Sequence, residues 1–384
     1  MKRIFAIVLC GLMLLTVACA KTDTADTTTA APTAEVLEEQ GIKNIIIIIG
    51  DGMGPNQVKS GEIVSGKQHV FADWDHTLVN TNSLDSNGES LTTTDSAASS
   101  TALATGTLTT NGRVGQDTSG KELKTIMDYA KEYGKATGVI TTDAIYGATP
   151  SGFSGHSESR NNYDDIMRSQ LSSGIDLFCA KYTAEAMEKR YDIANAGYTL
   201  CDSIYEARDS LDAEKAYWLL NVSGHTATDK LTKVTETALE YLSQDSDGFV
   251  LMIEQANIDG HGHSNEFNGL PQCVNILNDT VSTVLNWVGG RTDTAILVTA
   301  DHETGGLQIS TEPDFANKYT CANGDVLYYN FTTTNHTSTC VDLFTYGFNP
   351  DFTKYYTEDR PDAIKNINIF DMMLDILQDP MQEG

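Results

Sequence analysis

The chain has 384 residues, 40% of them hydrophobic and 20% charged, with 31 glycines and 8 prolines; that composition is globular and excludes a fibrous or disordered chain. Its 53 acidic residues against 25 basic ones leave a formal net charge of −28, a balance that repels nucleic acids and anionic membranes. The same balance suits a protein that recruits multivalent cations, whose ligands are themselves acidic.

The N-terminus carries a short basic start, Met1-Lys2-Arg3, and then an apolar run over residues 4–18. That run is too short for a comfortable membrane span and reads as the core of an export signal. Val17-Ala18-Cys19 resembles a bacterial lipobox, with Thr16 where leucine is usual. Residues 1–19 are therefore expected to be a signal peptide of the lipoprotein type, with Cys19 as a lipidated anchor. Residues 20–40, rich in Thr and Ala, form a flexible linker, and residues 41–384 form the folded domain. The protein is thus expected to be exported, either lipid-anchored on the outer face of the cell membrane or free in the periplasm or outside the cell. Its membrane contact is through the anchor alone.

Residues 43–49 (KNIIIII) form a β-branched run that only a strand buried on both faces explains. Similar runs lie at 137–141, 248–254 and 294–300. Amphipathic helical patterns lie at 123–133, 229–242, 271–288 and 364–377. Alternation of this kind predicts an α/β fold with a large, mostly parallel or mixed central sheet between helices on both faces. Residues 310–339, rich in Thr, Asn and Tyr with little helical period, are expected to form a small capping insertion. Beyond the export segment there are five cysteines: Cys179, Cys201, Cys273, Cys321 and Cys340. The absence of a CxxC spacing argues against a cysteine zinc site. Export permits disulfides, and the pairings closest in sequence are Cys179–Cys201 and Cys321–Cys340.

Three of the predicted strands run directly into acidic or histidine residues. Asp51 follows Gly50 and precedes Gly52 and Gly54; Glu254 leads on to Asp259 and His263; Asp301-His302 follows Ala300. In open α/β sheets, ligands bind outside the carboxyl ends of the strands, so these residues form one constellation. Alone, Asp51 with its glycines would be a tight turn, although glycines also let backbone approach a ligand closely. A helix starting near Ser96 sets that hydroxyl among free N–H groups at a positive helix end. Asp95 or Ser96 equally suits an N-cap, and a capping position can also present a nucleophile. Asp/His sets with an open coordination position suit catalytic zinc. His336, a single histidine in a loop, would by itself read as a surface residue.

The motifs GDGMG (50–54), TDSAAS (94–99), ATP (148–150), IEQANIDGHGH (253–263), TADHETGG (299–306) and NHT (335–337) stand in the order found in alkaline phosphatases. From Lys43 to Gly347 the chain resembles that family. The resemblance implies the family's three-layer sandwich and hydrolysis of small phosphate monoesters through a phosphoserine at Ser96. It implies two Zn2+ ions, one bound by Asp259, His263 and His336, the other by Asp51, Asp301 and His302 beside Ser96. Asp51, Thr149 and Glu254 would form a third, oxygen-rich site of the kind Mg2+ prefers. Zinc would activate the Ser96 hydroxyl without a histidine base. Arg160 would grip phosphate with its planar fork, held in place by Asp95.

Two positions depart from familiar members. Gly147 stands where others carry an acidic, histidine or other polar residue, and Gly260 where others carry lysine, histidine or tryptophan; Asp143 or a water could stand in for the former. A homodimer is a further implication by analogy. His69, His76 and His225 read as packing or surface residues, while His156 and His261 lie beside site residues and could support them. A phosphodiesterase of the same superfamily is the rival enzyme, disfavoured by the pairing of Ser96 with Arg160. The TDSAAS motif is unlike that of a sulfatase. A lipoprotein that only binds phosphate or metal would have no use for an activated serine.

Overall fold

The structure is a computed structural model that describes residues 41–224, 227–358 and 360–379. The signal peptide, Cys19 and the whole of the linker expected from the sequence lie outside the described residues, as does His225.

The five isoleucines Ile45–Ile49 are each at most 1% exposed, in the strand Asn44–Gly50. Burying one such side chain contributes roughly 1.5–3 kcal/mol, so this strand alone anchors the middle of the fold. It pairs in parallel with Phe249–Gln255 on one side and Thr294–Thr299 on the other. From edge to edge, the ten-stranded sheet runs Ala363–Lys365, Asp75–Asn80, Val341–Tyr346, Thr294–Thr299, Asn44–Gly50, Phe249–Gln255, Ala136–Thr141, Leu177–Lys181, Ala216–Leu220 and Thr199–Cys201. Only Val341–Tyr346 runs against its neighbours, which makes the sheet mixed, as its alternation with helices predicts.

Helices Pro55–Ser65, Leu231–Leu242 and Leu270–Val288 pack on one another as one layer. Helices Ser96–Thr105, Ile126–Glu132, Ala148–Ser154 and Ile367–Leu377 pack as a second, and Ala136–Thr141 touches members of both. Leu270–Val288 shows why its stretch is helical: Leu270, Val274, Leu277, Val281, Val284 and Val288 fall on one buried stripe, and Pro271 sits in the first turn, where no N–H is needed. Ser96–Thr105 differs, because all ten of its residues are buried. Its Ala, Ser and Thr side chains are what a helix enclosed on every side can fit.

Residues 310–339 are more regular than the sequence suggests. Leu307–Ser310, Val326–Phe331 and Asn317–Thr320 form a small antiparallel sheet, and His336–Thr337 pairs with Glu303–Thr304. All five described cysteines are free thiols, so neither of the two pairs nearest in sequence is bridged. Cys179 and Cys201 both stand level with Trp218, on opposite sides of the Ala216–Leu220 strand. Two strand spacings, about 9.5 Å, exceed what a disulfide bridges. Cys321 lies in the turn before Val326–Phe331, while Cys340 precedes Val341–Tyr346 and accepts a hydrogen bond from Arg360 at 2.7 Å.

Candidate metal centre

Three parallel strands end side by side, and the residues that follow them meet. Asp51 leaves the Ile-rich strand into Gly52, whose φ of +71° and lack of a side chain are both used: a Cβ there would stand 2.8 Å from the Asp259 backbone. The Gly52 N–H donates to Asp301 Oδ1 at 3.1 Å, and His302 N–H donates to the same oxygen at 2.9 Å. Asp301 and His302 are both fully buried, and Asp51 is 9% exposed. Asp51 Oδ1 and Asp301 Oδ2 accept no hydrogen bond. Facing them, His302 Nε2 lies 3.6 Å from the first and 3.1 Å from the second. Buried carboxylate oxygens left open in this way are costly unless a cation faces them.

Glu254, one residue before the end of Phe249–Gln255, is 1% exposed and accepts a hydrogen bond from the Thr141 hydroxyl. Burial pushes its pKa up to about 8; the Thr141 bond works against this, and the nearby Asp143 charge adds to it. Thr149, in the first turn of Ala148–Ser154, is buried with its hydroxyl in no well-aligned hydrogen bond, although it leans on Glu254 closely enough to lower that pKa. The Asp51 pKa is raised well above the usual range by burial, then by Asp301, Asp259 and Glu254. For Asp301, burial works in the same direction, but His302 outweighs it and holds the pKa down at about 2. The deep half of the centre is therefore a cluster of acidic groups in which Asp51 and Glu254 are driven to hold protons unless a cation takes their place.

Asp259 and His263 sit four residues apart on Asn257–His263, with His263 Nε2 3.3 Å from Asp259 Oδ1. His336 arrives from the opposite side, its Nε2 3.1 Å from His263 Nε2 and 3.6 Å from Asp259 Oδ1. The outer nitrogens fix the tautomers. His263 Nδ1 donates to the Thr334 carbonyl at 2.6 Å and His336 Nδ1 to the Thr94 carbonyl at 2.9 Å. The Thr304 hydroxyl donates to Asp259 Oδ1 at 2.6 Å and so accepts from His302 Nδ1 at 3.2 Å. All three histidines thus point an Nε2 lone pair inward. Two lone pairs 3.1 Å apart repel unless a proton or a metal ion sits between them.

Asp259, His263 and His336 bring their ligand atoms within 4.8 Å of one another, and so do Asp51, Asp259 and His302. The two sets named from the sequence are therefore one continuous basin with Asp259 common to both halves, and Asp301 adds its free oxygen from below. Ser96 opens the buried Ser96–Thr105 helix, 4% exposed, with its Oγ 3.1 Å from His302 Nε2. Asp95 caps that helix through a 3.0 Å bond from Ala98 N–H, while its other oxygen takes Gly112 N–H at 3.0 Å and Arg160 at 3.1 Å. A single carboxylate therefore fixes both the serine and the arginine. Burial opposes charge on Arg160, but Asp95, and after it Asp51 and Asp301, raise its pKa further.

Sequence reading missed Thr304, although it lies inside a quoted motif, and the supporting role of Glu303. The Glu303 carboxylate accepts from Gln57 at 2.6 Å, from the Gly306 and Leu307 N–H groups at 3.2 Å and from the Thr337 hydroxyl, pinning the residue beside His336. His156 and His261 take supporting bonds away from the basin, to the Leu123 carbonyl at 2.8 Å and to Glu266 at 2.7 Å.

Residues 42–197 and 218–371 match the sequence model of the family described as alkaline phosphatase. Two curated relatives from Bacillus subtilis (strain 168), alkaline phosphatases 4 and 3, are each 28% identical over 306 and 291 residues, covering 73% and 71% of this chain. The chain spans 66% and 63% of the length of those two relatives. Among solved structures, a variant of the TAB5 alkaline phosphatase with Mg bound in its M3 site is 25% identical, with a TM-score of 0.76 over 88% of this chain and 99% of the other. The cold-active alkaline phosphatase of a psychrophilic Shewanella sp. is 26% identical, with a TM-score of 0.74 over 87% and 99%.

Proposed function

The chain belongs to the alkaline phosphatase family, and on that premise we propose that it hydrolyses phosphate monoesters by way of a covalent phosphoserine formed at Ser96. The observation that carries this reading is the Ser96 hydroxyl, at the N-terminus of a buried helix and 3.1 Å from His302 Nε2, at the edge of a basin that holds Asp51 Oδ1 and Asp301 Oδ2 without a hydrogen-bond partner. That donor set fits metal ions: Asp259, His263 and His336 would hold one Zn2+, and Asp51, Asp301 and His302 a second. Asp51, Thr149 and Glu254, all oxygen donors, would hold Mg2+. When bound, zinc supplies Lewis-acid charge that acidifies a hydroxyl and steadies a leaving oxygen.

The rest falls to the chain's own groups. Arg160, its fork anchored by Asp95, binds two oxygens of the incoming phosphate and turns the phosphorus toward Ser96 Oγ. The helix N-terminus behind Ser96 favours the negative charge that gathers there. As the Oγ–P bond forms, Ser96 loses its proton and the ester P–O bond breaks; the leaving alkoxide takes up a proton and departs as alcohol. Water then attacks the same phosphorus, the Oγ–P bond breaks, serine is reprotonated and inorganic phosphate leaves. Arg160 paired to Asp95 favours a monoester dianion over a diester, which carries one charge fewer.

The same reading takes residues 41–384 as one catalytic domain, exported by the 1–19 leader and held by Cys19, with a homodimer as its assembly. Among the described residues no helix is long and apolar enough to cross a membrane. Ser96→Ala tests the chemistry. With p-nitrophenyl phosphate and zinc and magnesium present, kcat should fall about a thousandfold or more, while zinc content and Tm stay as in the parent. Near-normal turnover by that variant would sink the covalent mechanism.

A further inference from the structure

Gly147 N-caps the Ala148–Ser154 helix that carries Thr149, and it brings no side chain to the site. The space is taken all the same. A Cβ built on Gly147 would stand 2.8 Å from Asp143 Oδ2 and 2.9 Å from the Ala144 carbonyl oxygen. The Asp143 carboxylate therefore lies where a side chain from Gly147 would project.

The local bonding ties Asp143 to Glu254. Asp143 N–H donates to Thr141 Oγ1 at 2.9 Å, and the same hydroxyl donates to the Glu254 carboxylate. Beyond burial, the Asp143 charge raises the Glu254 pKa. Yet the Asp143 side chain is exposed and, among the described residues, has neither a hydrogen-bond donor nor a cation as partner. Its backbone does the structural work, accepting from Lys181 N–H at 2.9 Å. An unpaired carboxylate beside a second, buried acidic group keeps that group from ionising unless a cation is shared between them.

Two of the oxygens read as belonging to the third site, Asp51 Oδ1 and Thr149 Oγ1, are likewise open, and both residues are buried. We propose that Asp143 is an additional carboxylate of the third cation site, serving it from the turn after Ala136–Thr141 in place of a side chain at Gly147. This rests on the reading of Asp51, Thr149 and Glu254 as a Mg2+ site. Mg2+ keeps several waters of its own, so an acidic group at its edge tightens it without displacing the three inner donors.

The test uses the full chain, stripped with chelator, reloaded with Zn2+ and titrated with Mg2+ by calorimetry. Asp143→Asn and Asp143→Ala should each weaken Mg2+ binding tenfold or more, with zinc stoichiometry and the Tm of the stripped protein unchanged. Glu254→Gln should take up no Mg2+. If both Asp143 variants bind Mg2+ within twofold of the parent while Glu254→Gln does not, the third site stands and Asp143 has no part in it. If Glu254→Gln also binds like the parent, the third-site reading fails and takes this proposal with it. Loss of zinc from the Asp143 variants would overturn it too, by placing the residue's effect on the other ions.

Discussion

The two halves of the centre are built differently. Asp51, Asp301 and His302 stand at the ends of parallel strands, almost without exposure, and backbone N–H groups fix Asp301 before any ligand arrives. Asp259, His263 and His336 stand on a seven-residue helix and a two-residue strand, with the His263 side chain 41% exposed and aimed by loop carbonyls. The deep half is thus part of the sheet's own packing, while the outer half is assembled from pieces the sheet does not control. Removing a deep group should damage fold and chemistry together, whereas removing an outer group should damage chemistry alone.

The sharpest contrast is Asp301→Ala against His336→Ala. Without Asp301, the buried Gly52 and His302 N–H groups lose their acceptor, which costs about 2–5 kcal/mol. The metal-free variant should melt roughly 5–10 °C lower than its parent, and turnover should fall at least a thousandfold. His336→Ala should lower turnover about a hundredfold or more and empty one zinc site, while leaving the metal-free protein within about 1 kcal/mol of the parent. Melting curves on chelated proteins, with elemental analysis, separate the two. Equal losses of stability would erase the distinction between the halves.

Thr304 sharpens the comparison because its hydroxyl joins the halves, bonding Asp259 on one side and His302 on the other. Thr304→Val keeps the volume and removes both bonds, so zinc affinity should drop about 10–100-fold with little change in fold. Competition with a fluorescent chelator reads this directly, and unchanged affinity would mean the halves orient their ligands independently.

The smallest expected effect is one of pH. Glu254 ionises at about 8 in the folded protein, against an ordinary value of 4.5, so through that window the unfolded chain has released a proton the folded chain still holds. Stability of the chelated protein should therefore fall as pH rises from 5 to 8, by a few degrees in Tm, and level off above. Asp51 shifts in the same direction. Asp301, held at about 2, has the opposite sign, but its effect is confined to pH below about 4. Adding Zn2+ and Mg2+ should abolish the fall, and Glu254→Gln should flatten it. A chelated protein as stable at pH 8 as at pH 5 would mean the deep carboxylates are not under this strain.

The sequence by itself determined the centre of the sheet and the helices Ile126–Glu132, Leu231–Leu242, Leu270–Val288 and Ile367–Leu377, because those signals are local. It also marked Asp51, Glu254, Asp301 and His302 as strand-end residues, whereas His336, Thr149 and Arg160 were named only by family resemblance. A run of isoleucines has no stable place but a strand covered on both faces, and a strand end is where an α/β sheet exposes polar groups. Tertiary structure alone decided the rest. Residues 310–339 lack a clear period because their strands are half-exposed and only two to six residues long, too short for alternation to show, so their pairing is decided by which strands meet in the fold. Cysteine pairing was undecided by the sequence for a like reason: nearness along the chain says nothing of the strand that separates Cys179 from Cys201. The inward Nε2 lone pairs depend on the carbonyls of Thr94 and Thr334 and on the Thr304 hydroxyl, and Asp143 matters only because it fills the space beside Gly147. Tautomers, shared ligands and filled volumes are set by which atoms meet across the fold, and that is settled by packing rather than by any one stretch of residues.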